Sequence, residues 1–366
     1  MSSGDIQSNG IAIQGLGLTF PNGWVGLKPS DLHIAGGSFC TLLGPSGSGK
    51  TTLLRTIAGL ITPTSGRVFI GTRDVTRVSV QERNIGFVFQ SYALFPTMSV
   101  AENIEYPLRV HKWSATDRTA RVKEILDLIE LPAFAGRAVG ELSGGQQQRV
   151  AIGRAIAYRP SLLLLDEPMG ALDRRLRQQL GADLRDIQQR TGITAVYVTH
   201  DQEEAFILSD RIAIMNHGEI LQYATPDELY FHPTSRFVAE FLGEANLIDV
   251  VELRSCEKGA LVAITSYGAV PLPAGMTVPG GSGERVLIVR PEDVELVTAP
   301  DRSDIPTPGI PVTIDNVRFL GSRSLVTVST ADGKRLRVEC SKWRPPNADT
   351  TAYLTWQPSA VALADR

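Results

Sequence analysis

Eight consecutive residues, Gly44-Pro45-Ser46-Gly47-Ser48-Gly49-Lys50-Thr51, restrict this chain more than any other feature. They spell G-x-x-x-x-G-K-T. Glycines at these positions let successive backbone N–H groups turn inward around a polyphosphate. The spacing brings the Lys50 ammonium to the β- and γ-phosphates and the Thr51 hydroxyl to Mg²⁺. Such a loop belongs between a strand and a helix, and both flanks are present. Phe39–Leu43 reads as a buried strand, and Leu53, Leu54, Ile57 and Ala58 repeat at helical spacing before Gly59. A bound phosphate then meets the positive end of a helix dipole. An ordinary glycine-rich turn lacks these flanks.

The alternation continues. Residues 85–89, 162–166, 195–199 and 211–215 are short, apolar and often β-branched, the pattern of strands buried in a mainly parallel sheet. Helical stretches such as 146–157 and 174–189 lie between them. This predicts an α/β fold over about residues 11–240. Residues from about 92 lack β-rich runs, and 121–131 has helical periodicity, so a helical insertion is expected there. After Gly243 the composition shifts to short β-prone segments at 260–265, 285–289, 312–317, 325–330, 335–340 and 352–356. Asp332-Gly333 between two of them signals a hairpin. A small barrel or sandwich is expected. The resulting division is 1–243, with a helical subdomain at about 92–152, and 244–366.

Composition bounds the partners. The 366 residues suit two domains, and a formal net charge of −3 offers no basic excess for nucleic acid. Met1 to Gly10 is polar, without the apolar core of a signal peptide, and no run approaches the ~20 apolar residues of a spanning helix. The expectation is a cytoplasmic chain that reaches any membrane through a partner. Cys40, Cys256 and Cys340 are far apart and odd in number, which argues against a disulfide framework or metal cluster.

Two further segments carry chemistry. Leu162-Leu163-Leu164-Leu165-Asp166-Glu167 is an apolar strand that ends in two acids. Its C-terminal end delivers both carboxylates beside the phosphate loop. Asp166 can hold Mg²⁺, and Glu167 can orient or deprotonate an attacking water. Leu142-Ser143-Gly144-Gly145-Gln146-Gln147-Gln148-Arg149 places a capping serine and two glycines at a helix start, a second anion cradle. One nucleotide on the first loop leaves this second cradle unexplained. A nucleotide held by another subunit explains it.

This last segment resembles the signature of ATP-binding cassette (ABC) transporter ATPases, and its fit with the phosphate loop and acidic strand covers about 240 residues. The resemblance implies a P-loop NTPase with a RecA-like core and helical insertion. It also implies a head-to-tail homodimer with two ATP molecules between the copies. ATP would be held by Gly44, Pro45, Ser46, Gly47, Ser48, Gly49, Lys50, Thr51 and Thr52, and across the dimer by Ser143, Gly144, Gly145 and Gln146. Mg²⁺ would be held by Thr51, Asp166 and Gln90, the last matching a glutamine loop that also touches the membrane subunit. Asp173 in Gly170-Ala171-Leu172-Asp173 matches the D-loop, although Gly170 stands where many relatives carry serine. His200 after Val198-Thr199 matches the switch histidine, so Glu167, His200 and Gln90 form the implied catalytic set. Phe20 fits the adenine-stacking position, with Trp24 a close rival.

Residues 90–96 and 199–205 are similar to bacterial importer ATPases. Arg290-Pro291-Glu292-Asp293 resembles a motif of their OB-like accessory (TOBE) domain. Residues 241–246 and 103–109 look most like the polyamine (spermidine/putrescine) importers, while ferric-iron, phosphonate, sulfate and sugar importers share much of the same text. The implied partners are two integral-membrane permeases and, through them, an extracytoplasmic solute-binding protein, at the cytoplasmic face of the cell membrane. A soluble cassette ATPase of DNA repair or translation usually carries long coiled-coil insertions or two cassettes, which this sequence lacks. A non-hydrolysing module does not need both Glu167 and His200.

Overall fold

The computed structural model describes residues 9–170, 173–255, 261–273, 276, 284–297, 309–341, 346–347 and 350–366. Of the sequence features above, residues 1–8, Ala171, Leu172, Cys256, Ala260 and most of the 271–283 and 300–311 loops lie outside these. Contacts divide the chain into two compact units, 1–226 and 227–366.

The first unit runs β1 (Ile11–Thr19), β2 (Val25–Ile34), β3 (Phe39–Leu43), α1 (Lys50–Ala58), β4 (Ser65–Ile70), β5 (Arg73–Asp74), β6 (Ile85–Val88), α2 (Val100–Val110), α3 (Ala115–Leu128) and α4 (Gly144–Ile156). It continues with β7 (Leu162–Asp166), α5 (Arg174–Thr191), β8 (Thr194–Thr199), α6 (Gln202–Leu208), β9 (Arg211–Asn216) and β10 (Glu219–Ala224). Six strands form one sheet in the order β10-β9-β3-β8-β7-β6, parallel except for the β9–β10 hairpin. Its central strands are buried on both faces, which is why they read as continuous apolar runs. Alternate residues divide between two cores. Leu162 and Leu164 of β7 pack with Cys40, Leu42 and the α1 residues Leu53, Leu54 and Ile57. Leu163 and Leu165 pack with Phe39 and with Ile104, Ile125 and Ile152 from α2, α3 and α4.

A second, antiparallel sheet of order β2-β1-β4-β5 covers the α1 side. Pattern reading of the sequence did not reveal it. Lys28, Pro29, Ser30 and Asp31 interrupt the apolar alternation of β2, and the β1–β2 register shifts at three places. The helical insertion holds α2, α3 and α4, each opened by a serine N-cap: Ser99, Ser114 and Ser143.

The second unit holds α7 (Pro226–Phe231), α8 (Arg236–Phe241) and β11 (Asn246–Ser255), β12 (Leu261–Thr265), β13 (Gly268–Pro271), β14 (Arg285–Val289), β15 (Glu295–Val297), β16 (Ile310–Phe319), β17 (Arg323–Thr330), β18 (Arg335–Ser341), β19 (Thr351–Thr355) and β20 (Val361–Asp365). Two five-stranded antiparallel sheets, β13-β12-β11-β14-β20 and β15-β19-β16-β17-β18, share one core that includes Ile248, Leu287, Ile314, Val328 and Trp356. The Asp332-Gly333 turn joins β17 and β18, with Gly333 at φ 81°. Residues 227–243, which the sequence assigned to the first domain, cluster here instead. The buried Arg290 guanidinium explains this. It donates to Ala239 O at 2.9 Å, Glu244 O at 3.2 Å and Tyr230 O at 3.4 Å, and stacks 4.2 Å from the Tyr230 ring centre. Ala239 packs in turn against Val286 and Ile288 of β14. The Asn246 side chain exchanges two 2.7 Å hydrogen bonds with the Arg337 backbone, tying β11 to β18.

Candidate functional site

Strands β3, β7 and β8 are neighbours and parallel, so their C-terminal ends bring the phosphate loop, the two acids and His200 to one edge. The loop needs its glycines for different reasons. Gly49 lies at φ 102° and Gly47 at φ 79°, backbone that L side chains rarely adopt. A Cβ on Gly44 would stand 2.2 Å from Met215 O of β9, which cannot yield without breaking the sheet edge. Gly49 also precedes α1 without a side-chain cap, leaving the first helical amides free for an anion.

Lys50 is buried in the loop and donates to Gly44 O at 2.8 Å, Pro45 O at 2.9 Å and Ser48 Oγ at 3.4 Å. Burial lowers its pKa, while Glu167 and Asp166 oppose that shift. The ammonium is therefore held ready where a polyphosphate can replace its carbonyl partners. Thr51 Oγ1 donates to Asp166 Oδ1 at 3.0 Å, and the second oxygen of Asp166 receives Arg55 Nη2 at 3.4 Å. These two hard oxygen donors suit Mg²⁺, which usually takes one or two protein ligands and completes its shell with phosphate and water. Among the described residues no group of three or more His, Cys, Asp or Glu that could hold a metal stands together.

Glu167 follows β7 in a left-handed conformation, φ 44°, anchored by its N–H to Val198 O at 3.1 Å. The turn separates two adjacent acids. Asp166 faces Thr51, and Glu167 Oε2 lies 3.5 Å from His200 Nδ1. Gln90 stands near by: a Cβ built on Gly170 would lie 3.6 Å from Gln90 Nε2 and 3.9 Å from Glu167 Oε2. A serine side chain would start there without a clash, so space does not require glycine at 170.

The other sequence candidates occupy separate places. Ser143 forms a capping box with Gln146: Gln146 N–H donates to Ser143 Oγ at 3.4 Å, and Ser143 N–H donates to Gln146 Oε1 at 3.0 Å. Gly144 opens α4, and Gly145 has a packing role: a Cβ there would stand 3.1 Å from Leu180 and 3.3 Å from Leu176 on α5. Asp173 caps α5 through Leu176 N–H at 3.0 Å. Thr52 lies in α1. Phe20 and Trp24 stack on each other, with centroids 5.2 Å apart and planes at 22°. Phe20 is the inner ring, over Gly26 and packed on the α1-side core, whereas Trp24 is 53% exposed.

Sequence reasoning missed the polar frame behind this edge. Glu204, four residues after His200, accepts the Tyr197 and Thr199 hydroxyls at 2.5 and 2.6 Å. The period-2 placement of Tyr197 and Thr199 on β8 was its visible signal.

The chain is 45% identical over 320 residues to the sulfate/thiosulfate import ATP-binding protein CysA of Caulobacter vibrioides, covering 86% of this chain and 88% of that one. It is 42% identical over 348 residues to the spermidine/putrescine import ATP-binding protein PotA 1 of Pseudomonas aeruginosa, covering 94% and 91%. The ABC transporter family profile matches residues 27–170. This chain belongs to the ABC transporter ATPases. A TOBE domain matches residues 287–363 of this ABC ATPase. Among solved structures, it is similar to a dimeric ATP-binding cassette in a post-hydrolysis state bound to ADP and Pi. That match has 36% identity and a TM-score of 0.53, covering 59% of this chain and 98% of the other. ABC ATPases bind and hydrolyse ATP. No helix among the described residues of this one is long and apolar enough to cross a membrane.

Proposed function

We propose that this ABC ATPase powers solute import as a homodimer bound to two integral-membrane permeases at the cytoplasmic face of the membrane. An extracytoplasmic solute-binding protein would deliver the cargo to those permeases. The observation that carries the reading is the convergence of Lys50, Thr51, Asp166, Glu167 and His200 on one sheet edge. Phosphoryl transfer needs this set: cations on phosphate, an acid beside water, and a donor to the γ-phosphate.

The phosphate loop amides and Lys50 hold the β- and γ-phosphates. Thr51 and Asp166 would hold Mg²⁺, with Gln90 as a further ligand, and the ion would supply neutralisation of phosphate charge. Glu167 orients a water in line with the γ-phosphorus and takes its proton. The His200 imidazole, 3.5 Å from Glu167, donates to a γ-phosphate oxygen. The partner subunit's Ser143 and the partner subunit's Gly145 close over the same phosphate, and Asp173 lies at the crossing. Adenine stacks on the Phe20–Trp24 pair.

Polyamine is the cargo we favour, on residues 103–109 and 241–246. Sulfate, ferric iron, phosphonate and sugars remain alternatives, because 45% and 42% identity to ATPases named for different cargoes separates nothing. Cargo passes through the permeases, so the ATPase carries no cargo pocket to compare. Glu167→Gln tests the mechanism. Turnover should fall about 10²-fold or more, while ATP binding persists and dimers accumulate on size-exclusion chromatography. A variant that hydrolyses ATP at the wild-type rate removes Glu167 from this role.

A further inference from the structure

Behind the His200 turn lies a charged cluster that the roles above leave unused. Arg177 sits in the first turns of α5, where its N–H donates to Asp173 O at 2.9 Å. Its Nη1 donates to Asp201 Oδ2 at 2.7 Å and lies 3.7 Å from Glu204 Oε1. Asp201 directly follows His200. Its N–H donates to Thr199 Oγ1 at 3.0 Å, and its Oδ1 accepts from Glu204 N–H at 3.3 Å. The side chains of Arg177, Asp201 and Glu204 are 27%, 28% and 10% exposed, so water screens this cluster only in part. Arg177 Nε is buried with no hydrogen-bond partner among the described residues, so the two carboxylates are what orient the guanidinium. The adjacent Arg174–Glu203 pair is different. At 73% and 54% exposure it is largely screened by solvent.

Asp173 caps α5. Arg177 on α5 crosses to Asp201, and His200, which precedes Asp201, lies 3.5 Å from Glu167. We propose that Arg177 is a positioning residue for His200. It clamps α5 to the turn that carries the imidazole, and so fixes where His200 stands. Arg177 acts through Asp201. The inference rests on Glu167 and His200 forming the hydrolytic pair.

Steady-state ATP turnover of the full-length protein tests it, with R177A, R177K, D201N and the double variant R177A/D201N. Loss of orientation at the reacting centre should lower kcat of R177A about tenfold and change KM for ATP less than about twofold. R177K retains a cation at the same place and should recover most of that loss. D201N should reproduce the R177A defect, and the double variant should lose no more than the worse single one, because both act through one contact. Should R177A melt before assay, R177K and D201N keep the packing and carry the comparison alone. A kcat within about twofold of wild type for both R177A and D201N, or losses that multiply in the double variant, overturns the proposal. Glu167→Gln measured alongside separates the two claims. If it turns over like wild type, the hydrolytic assignment fails; if it is inactive while R177A is normal, only the clamp fails.

Discussion

Arg83 offers a quantitative test of how the phosphate loop is held from behind. Its side chain is 4% exposed and donates to Ile57 O at 2.6 Å, Thr56 O and Val78 O at 3.0 Å, and Thr76 O at 3.2 Å. No ion pair to Arg83 is present among the described residues, so one cation serves four carbonyls. Thr56 and Ile57 lie in the last turn of α1, where the dipole is negative and Thr56 O accepts from the Gly59 N–H at 3.1 Å as well. Hydrogen bonds to a charged group contribute about 1.5–3 kcal/mol each, or roughly 6–12 kcal/mol for the set. Desolvating the guanidinium offsets several kcal/mol of that. Arg83→Ala should therefore destabilise the first unit by about 3–5 kcal/mol, a large share of the ~5–15 kcal/mol typical of a domain. For a unit of this size that lowers Tm by roughly 6–20 °C. Urea unfolding of the full chain measures the loss, and hydrogen–deuterium exchange resolved over residues 50–58 locates it in α1. A loss below about 1 kcal/mol with α1 protection unchanged would mean that water replaces the guanidinium, and would refute the reasoning.

Two further outcomes separate packing from ligand contact and test burial. Trp24→Ala should weaken ATP binding about 2–10-fold with an unchanged melting temperature, whereas Phe20→Ala, which removes a ring from the core edge, should lower the melting temperature as well; equal effects on both readouts would collapse the distinction. Burial pushes the Cys40 thiol from 9.0 up to about 12. The folded chain then holds this proton where the unfolded chain releases it, so the stability is full below pH 9 and is lost as pH rises toward about 12. The urea midpoint of wild type should fall more steeply than that of Cys40→Ala between pH 8 and 11, and parallel slopes would contradict it.

The legible parts of the chain were those where one residue type has one physical use. The residues of β7 were readable because an apolar run that ends in two acids leaves few alternatives. Thr51 and Asp166 are hydrogen-bonded at 3.0 Å, and the Asp166 charge acts on Lys50. The β1–β2–β4 sheet was not readable, because Lys28 to Asp31 look like a turn and tertiary contacts hold them in a strand: Ser30 pairs with Leu16 of β1, and Lys28 N–H donates to Gly218 O at 2.8 Å. Arg83 and Arg177 were equally invisible, and Arg290 stood out as a motif residue without its packing role. An arginine in sequence carries no sign of whether it will be solvated or will close a helix end, and only tertiary contacts decide that. Gly145 was read for the ligand alone, yet Leu176 and Leu180 also crowd its Cα.

Glu167 keeps a backbone conformation that costs a non-glycine residue of order 1–3 kcal/mol. Glycine would relax that turn and asparagine would tolerate it better, but neither supplies a carboxylate. Folding and chemistry therefore rank the side chains at this position in opposite order. A redesign that optimised the chain for thermal endurance alone would be drawn to replace Glu167 and, on the mechanism proposed above, would return a sturdier, silent protein.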